Sequence, residues 1–237
     1  MLPVRAVIFD LDDTLFDDAG CTLAGLRALA ARHPALAALP DDALFARHAA
    51  LLAALEGEVH AGRLSVEACR ERRLAQLLSG VGVPDPDGAE AARTYHAASR
   101  AHYRPLPGAL DVVQALRAAG VRVGVLTNYP GGVQRAKLDA CGLTPHLHAS
   151  VTTSDAPPKP HPDSYLRACA ALDVQAGEAV MVGDNWRNDV AGAVSAGLRA
   201  AWFNPARRAA PAPAPHVALH GWTPLDGTLA ALLSPPA

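Results

Sequence analysis

Two aspartates close the first apolar run of the chain, where Val4-Arg5-Ala6-Val7-Ile8-Phe9 leads into Asp10-Leu11-Asp12-Asp13-Thr14. A short continuous apolar run reads as a strand buried on both faces of a parallel sheet, and open α/β sheets place ligands at the carboxyl ends of such strands. Asp10 falls at that end. Residues two apart in extended chain point to the same side, so Asp10 and Asp12 can face one site and work there as nucleophile, proton carrier or cation ligand. A strand end with two solvated acids is the plain alternative, because an isolated Asp-x-Asp arises readily by chance.

Three later loops also carry polar side chains suited to chemistry. Thr127-Asn128 follows the apolar run 121–126, Lys159 lies within Pro157-Pro158-Lys159-Pro160-His161-Pro162, and Gly183-Asp184-Asn185-Trp186-Arg187-Asn188-Asp189 follows the run 179–182. A hydroxyl and an amide can hydrogen-bond a ligand's oxygens without adding charge. Before Pro130-Gly131, however, Thr-Asn also reads as a turn. Prolines around Lys159 restrict the backbone and remove amide donors, which suits a fixed loop presenting one cation. Asp189 stands directly before a helical run, where it fits a helix N-cap as well as a ligand. Of 21 basic residues only Lys137 and Lys159 are lysine. The arginine bias fits a GC-rich genome, and against it a lysine can mark a place that needs a compact ammonium.

The elements that must position these residues follow from periodicity. Strands are predicted at 4–9, 121–126, 148–152, 179–182, 200–203 and 217–219, separated by helices at 109–119, 132–141, 162–172 and 188–196, with a last helix at 225–233. Such alternation implies an α/β fold with a doubly wound parallel sheet and right-handed crossovers. Residues 19–103 break the pattern with helical stretches only, at 22–32, 42–55, 65–78 and 89–103. Apolar side chains such as Leu44, Leu51, Leu52 and Leu55 recur there at helical spacing. The expected organisation is an α/β core of 1–16 and 105–237 with an all-helical insertion at 17–104. The proline-rich stretch 205–215 reads as an extended surface connector.

Composition narrows the function class. The 237 residues are 50% hydrophobic and carry a formal charge of −2 with acids and bases interspersed. There is no basic footprint for nucleic acid and no apolar run long enough to span a bilayer, so a small solute is the expected partner. Cys21, Cys69, Cys141 and Cys169 are widely spaced and read as buried thiols. With no basic-led apolar leader at the start, the expected compartment is the cytoplasm.

The order and spacing of the four loops resemble the haloacid dehalogenase (HAD) superfamily, in its phosphatase branch with a helical C1-type cap. The likeness runs over nearly the whole chain, with the first motif at 6–15, the insertion at 17–104 and the remaining motifs in order. It implies a Rossmann-like core and Mg²⁺-dependent hydrolysis of a nucleotide, sugar or similar metabolite phosphate monoester. In that pattern Asp10 is the nucleophile that becomes an aspartyl-phosphate, and Asp12 is the acid and base. Mg²⁺ is assigned to Asp10, the backbone carbonyl of Asp12, and Asp184, with Asp189 as a further ligand or orienter. Thr127 holds the phosphate, Asn128 contacts phosphate or substrate, and Lys159 pairs with Asp10 and the phosphoryl oxygens.

Asp12 separates the branches. Family dehalogenases release no alcohol that needs a proton and lack an aspartate there, while a phosphonate hydrolase uses a cap lysine, which residues 17–104 do not contain. A phosphomutase shares the same acids and stands as the alternative, together with a catalytically inactive binding relative. Among the cap arginines, Arg63, Arg72 and Arg73 read as solvated helix faces rather than contacts to an anionic substrate. Tyr129 and Trp186 read as packing or lining residues, and His146 and His148 as structural ones.

Overall fold

The computed structural model describes residues 2–234, without the His60 side chain. The chain divides into two compact units, with junctions between Asp17 and Asp18 and between Tyr103 and Arg104. One unit is the segment between these junctions. The other is formed by the two segments that flank it.

The flanking segments build a six-stranded sheet of β1 (Ala6–Phe9), β2 (Arg122–Leu126), β3 (Ala149–Val151), β4 (Ala179–Gly183), β5 (Arg199–Phe203) and β6 (Val217–Leu219). Every pairing is parallel and the order is β3-β2-β1-β4-β5-β6. β1 and β4 are buried at every position, as strands covered by helices on both faces must be. The chain winds from β1 outward to β3, then returns to place β4 on the other side of β1. The crevice between the carboxyl ends of β1 and β4 is therefore the switch point where α/β sheets bind ligands. Phe9 is in register with Val125 of β2 and Val182 of β4, which brings the residues after all three strands to one lip.

Helices Ala109–Ala118, Gly131–Ala140, Pro162–Ala171 and Leu225–Leu233 occupy the predicted stretches. The first ends toward Gly120, whose φ of 77° is the left-handed conformation that a Cβ disfavours. Ile8, Leu126, Met181, Tyr165 and Leu172 share one buried cluster, which fixes β1, β2 and β4 against the helix Pro162–Ala171.

The predicted helix at 188–196 differs in its first half. Trp186–Ala191 is a six-residue π-helix, followed by a short α-helix, Gly192–Ser195. The wider turn accompanies hydrogen bonds that draw it back on its start: Asn188 N donates to Asn185 Oδ1 at 3.0 Å and Asn185 N to Asp189 Oδ2 at 3.0 Å. Such turns recur at functional sites because they re-aim a side chain. Here the re-aimed side chain is Asp189. The proline-rich stretch 205–215 contains no helix or strand and is largely exposed.

In the other unit, helices Asp18–Ala30, Pro34–Ala37, Asp41–His60, Val66–Ser79 and Gly88–Ala101 form a bundle. The first packs on the last, and Val66–Ser79 packs on both Asp41–His60 and Gly88–Ala101. Leu26, Leu29, Leu44, Leu74, Leu77 and Tyr95 are among the residues of its core. Ser65 and Asp87 cap their helices, each accepting backbone N–H groups of the first turn. Among the described residues, no helix is long and apolar enough to cross a membrane.

Candidate active site

Asp10 extends the pairing of β1 with β4 by one residue, its backbone N donating to Val182 O at 2.8 Å. Its carboxylate meets Lys159, whose Nζ donates to Asp10 Oδ1 at 2.6 Å and to Asp189 Oδ1 at 2.7 Å. The lysine side chain is only 2% exposed, so this is a buried triad of two acids and one base. Asn128 fixes the loop behind it. Lys159 N donates to Asn128 Oδ1 at 2.7 Å, and Asn128 Nδ2 returns a bond to Lys159 O at 2.8 Å.

Burial dominates the electrostatics. It pushes the Asp10 carboxyl well above the usual carboxylate range, helped by Asp189 and Asp12 and opposed by Lys159. For Lys159, burial alone favours the neutral amine, but Asp10 and Asp189 outweigh it and hold the proton on. One ammonium does not balance the acids gathered here.

The third acid comes from the loop after β4. Asp184 N donates to Thr14 Oγ1 at 3.1 Å, and Trp202 Nε1 donates to Asp184 O at 3.0 Å. Trp222 Nε1 in turn donates to Thr14 O at 3.0 Å, tying the loop after β1 to the core. Gly183 makes the arrangement sterically possible: a Cβ there would lie 2.3 Å from Asp189 Cγ. Burial, then the charges of Asp189 and Asp13, push the Asp184 carboxyl up to about 7. Asp10, Asp184 and Asp189 each offer an oxygen within 4.8 Å of the others. Three hard oxygen donors with surplus negative charge, in a setting that resists ionisation of two of them, fit a hard divalent cation such as Mg²⁺.

Asp12 has its own partners. Lys137 Nζ donates to its Oδ1 at 2.5 Å and Gln134 Nε2 to its Oδ2 at 2.9 Å. Gln134 Nε2 also donates to Thr127 Oγ1 at 2.7 Å, so one amide joins the loops after β1 and β2. The turn between is tight. Asp13 takes a left-handed φ of 56°, and its N donates to Phe16 O at 2.8 Å.

Residues 4–197 match the family of haloacid dehalogenase-like hydrolases. The chain belongs to that family. Over 205 residues this hydrolase is 33% identical to the ribulose-1,5-bisphosphate 5-phosphatase of Halopiger xanaduensis, covering 84% of each chain. It is 34% identical over 205 residues to the phosphoglycolate phosphatase of Rhodospirillum rubrum, covering 82% of this chain and 77% of the relative. Its backbone is similar to that of a magnesium-bound HAD hydrolase of Bacillus subtilis, with a TM-score of 0.76 at 22% identity over 96% of this chain and 99% of the other.

Within the hydrolase, the structure gathers Asp10, Lys159, Asp184 and Asp189 directly and links Asp12 to Thr127 through Gln134. Asn128, expected on phosphate or substrate, has its amide oxygen and nitrogen engaged with the Lys159 backbone. Gln134 and Lys137 escaped the sequence reading of the site. They sit three residues apart on the helix Gly131–Ala140, a spacing that puts both on one face, and the scarcity of lysine was the available signal.

Elsewhere, Arg72 is exposed as expected, but Arg73 is buried and leaves the solvated face assigned to it. Helical spacing explains why, since Arg73 shares the inward side of its helix with Leu74 and Leu77. His148 is structural, its Nδ1 accepting from Val123 N at 3.0 Å. Trp186 packs edge-on against Trp202 and His216, each at 4.9 Å.

Proposed function

We propose that this hydrolase cleaves a small-molecule phosphate monoester, of the nucleotide, sugar or similar metabolite kind, in two displacements through an aspartyl-phosphate on Asp10. The observation that supports this best is the second carboxylate, Asp12, held by both oxygens two residues beyond a nucleophile that Lys159 orients. A two-step phosphoryl transfer needs such a proton carrier, and the similar relatives are named phosphatases.

In the first step a carboxylate oxygen of Asp10 bonds to phosphorus, the ester P–O bond breaks, and the departing oxygen takes the proton of Asp12. In the second, water gives its proton to Asp12 and attacks phosphorus. The Asp10–phosphate bond then breaks and inorganic phosphate leaves. Thr127 and the Lys159 ammonium supply donors to the phosphoryl oxygens, stabilising charge that develops in transfer.

Mg²⁺ bound to Asp10, Asp184, Asp189 and the Asp12 carbonyl would supply the positive charge that lets a phosphate dianion approach these acids. The helical unit serves in this reading as the cap that selects the substrate. Its buried Arg73 favours an anionic one.

Steady release of inorganic phosphate with Mg²⁺ from a panel of nucleotide monophosphates, sugar phosphates, phosphoglycolate and ribulose 1,5-bisphosphate tests the proposal. Turnover is expected on at least one member and should vanish in Asp10→Asn. Transfer to a sugar acceptor in place of phosphate release would reassign the protein as a mutase. No reaction across the panel would point to a binding relative.

A further inference from the structure

Both lysines of the chain are buried against aspartates that follow β1, Lys159 against Asp10 and Lys137 against Asp12, and only Lys159 has a role in the reading above. Lys137 meets Asp12 Oδ1 at 2.5 Å with both side chains largely buried, and its ammonium lies 4.7 Å from the Phe16 ring centroid and 5.8 Å from that of Tyr129. Gln134 holds the other Asp12 oxygen and, with the same nitrogen, the Thr127 hydroxyl. That orientation leaves Gln134 Oε1 buried with no hydrogen-bond partner among the described residues, an arrangement that costs stability and persists because the amide nitrogen faces two acceptors.

We propose that Lys137 and Gln134 are positioning residues for proton transfer: from one helix face they clamp both oxygens of Asp12 and fix the plane from which its proton reaches the ester oxygen. This rests on the reading of Asp12 as the proton carrier. The clamp also ties that carrier to Thr127, so the proton donor and a phosphate-holding hydroxyl keep a common frame. A point charge caged by two rings and a fixed amide do this with little freedom lost on substrate binding.

The consequence is a dependence on the leaving group. As the Asp10–phosphorus bond forms and the ester bond breaks, a phenolate with strong electron withdrawal departs without a proton, whereas a poorer leaving group needs one. The test compares kcat/KM, which reports events up to leaving-group departure, for p-nitrophenyl phosphate and phenyl phosphate in wild type, Lys137→Met, Gln134→Leu and Asp12→Asn.

In each variant the ratio of phenyl to p-nitrophenyl kcat/KM is expected to fall by roughly tenfold or more, a part of the 10²–10⁴ that a placed general acid supplies. Lys137→Arg, which keeps a cation, should recover part of the ratio. Equal losses on both esters in Lys137→Met and Gln134→Leu, beside a fallen ratio in Asp12→Asn, would overturn the clamp and leave Asp12 as the proton carrier. An unchanged ratio in Asp12→Asn would remove the proton-carrier reading itself. Should Lys137→Met fail to fold, Gln134→Leu reads the same ratio from the other oxygen.

Discussion

In the α/β unit Lys159 is buried between two carboxylates, whereas in the helical unit Arg73 is buried with no hydrogen-bond partner for its Nε among the described residues. The neighbourhoods differ in the same sense. His48 stacks on Tyr95 with ring centroids 5.5 Å apart, its Nε2 also lacks a partner among the described residues, and burial with Arg73 nearby holds its pKa down at about 3. His96 is lowered to about 4 by burial and by Arg70, Arg100 and Arg73. Each histidine stays neutral chiefly because it is buried, and the nearby guanidinium groups add to the effect.

The α/β unit thus supplies counter-charges for its own base and gathers more acid than that one base balances. In the helical unit the basic side chains Arg70, Arg73 and Arg100 gather locally around His48 and His96, although the unit as a whole is not basic. Buried charge without a partner is costly, and it is retained where a ligand can complete it. In one unit the buried base is matched by acids, and in the other the buried base has a nitrogen left without a partner among the described residues.

Removing the nucleophile should produce the largest effect. Asp10→Asn is expected to lower steady phosphate release on the order of 10⁴-fold or more, since loss of a covalent nucleophile leaves only binding and electrostatics. Release within tenfold of wild type would mean that the acids of the α/β unit do not form the reactive group. Lys159→Met comes next and tests the internal balance. It strands Asp10 and Asp189 beside each other, which should cost about 3–5 kcal/mol in urea unfolding with chelator present. Phosphate release should drop roughly 10²–10³-fold. Mg²⁺ should restore part of the stability, because it replaces the missing charge.

How far such charges could be read in advance depended on whether a residue's partners lie nearby in sequence. The central strands were legible because their apolar runs are buried on both faces, β1 and β4 at every position, and Asp10, Lys159, Asp184 and Asp189 stood out through their position after apolar runs. The insertion was legible as helices because its apolar residues repeat at helical spacing. What stayed hidden was made by long-range pairing. Lys137 is 125 residues from Asp12, and no local pattern links them. Asn128 has an amide that suits phosphate in isolation, yet its partner is a backbone 31 residues away. The π-helix at Trp186–Ala191 follows from where Asp189 must point, a tertiary demand that periodicity does not record.

A smaller effect separates the units by pH. The folded-state pKa of Asp184 is raised from 3.8 to about 7, so folding favours its protonated form. The stability it contributes is complete below about 4 and is lost as pH rises toward 7, because the unfolded chain ionises freely over that window. Asp10 is shifted in the same direction. In chelator, the urea midpoint of wild type relative to Asp184→Asn should therefore fall between pH 4 and pH 7; the opposite contribution of the neutral, buried His48 and His96, which grows as pH rises, is common to both proteins and cancels. With Mg²⁺ the fall should flatten, since a cation favours the ionised acids. A relative midpoint that rises over this range in chelator would show that the acids of the α/β unit are balanced without a metal.

Arg73→Met should have the smallest effect on stability, and its sign is what distinguishes the two units. The substitution keeps much of the side-chain volume while removing a buried cation whose Nε lacks a partner among the described residues. Replacing such a charge with an apolar chain should range from no change to a gain of about 2 kcal/mol, against the loss expected for Lys159→Met. If the helical unit holds this cation for an anionic substrate, the same variant should raise KM several-fold and change kcat little. That split separates substrate recognition from chemistry. A loss of several kcal/mol would instead mean that Arg73 is balanced as Lys159 is, and the contrast between the units would not hold. An unchanged KM together with the gain in stability would leave the contrast in place but detach it from the substrate.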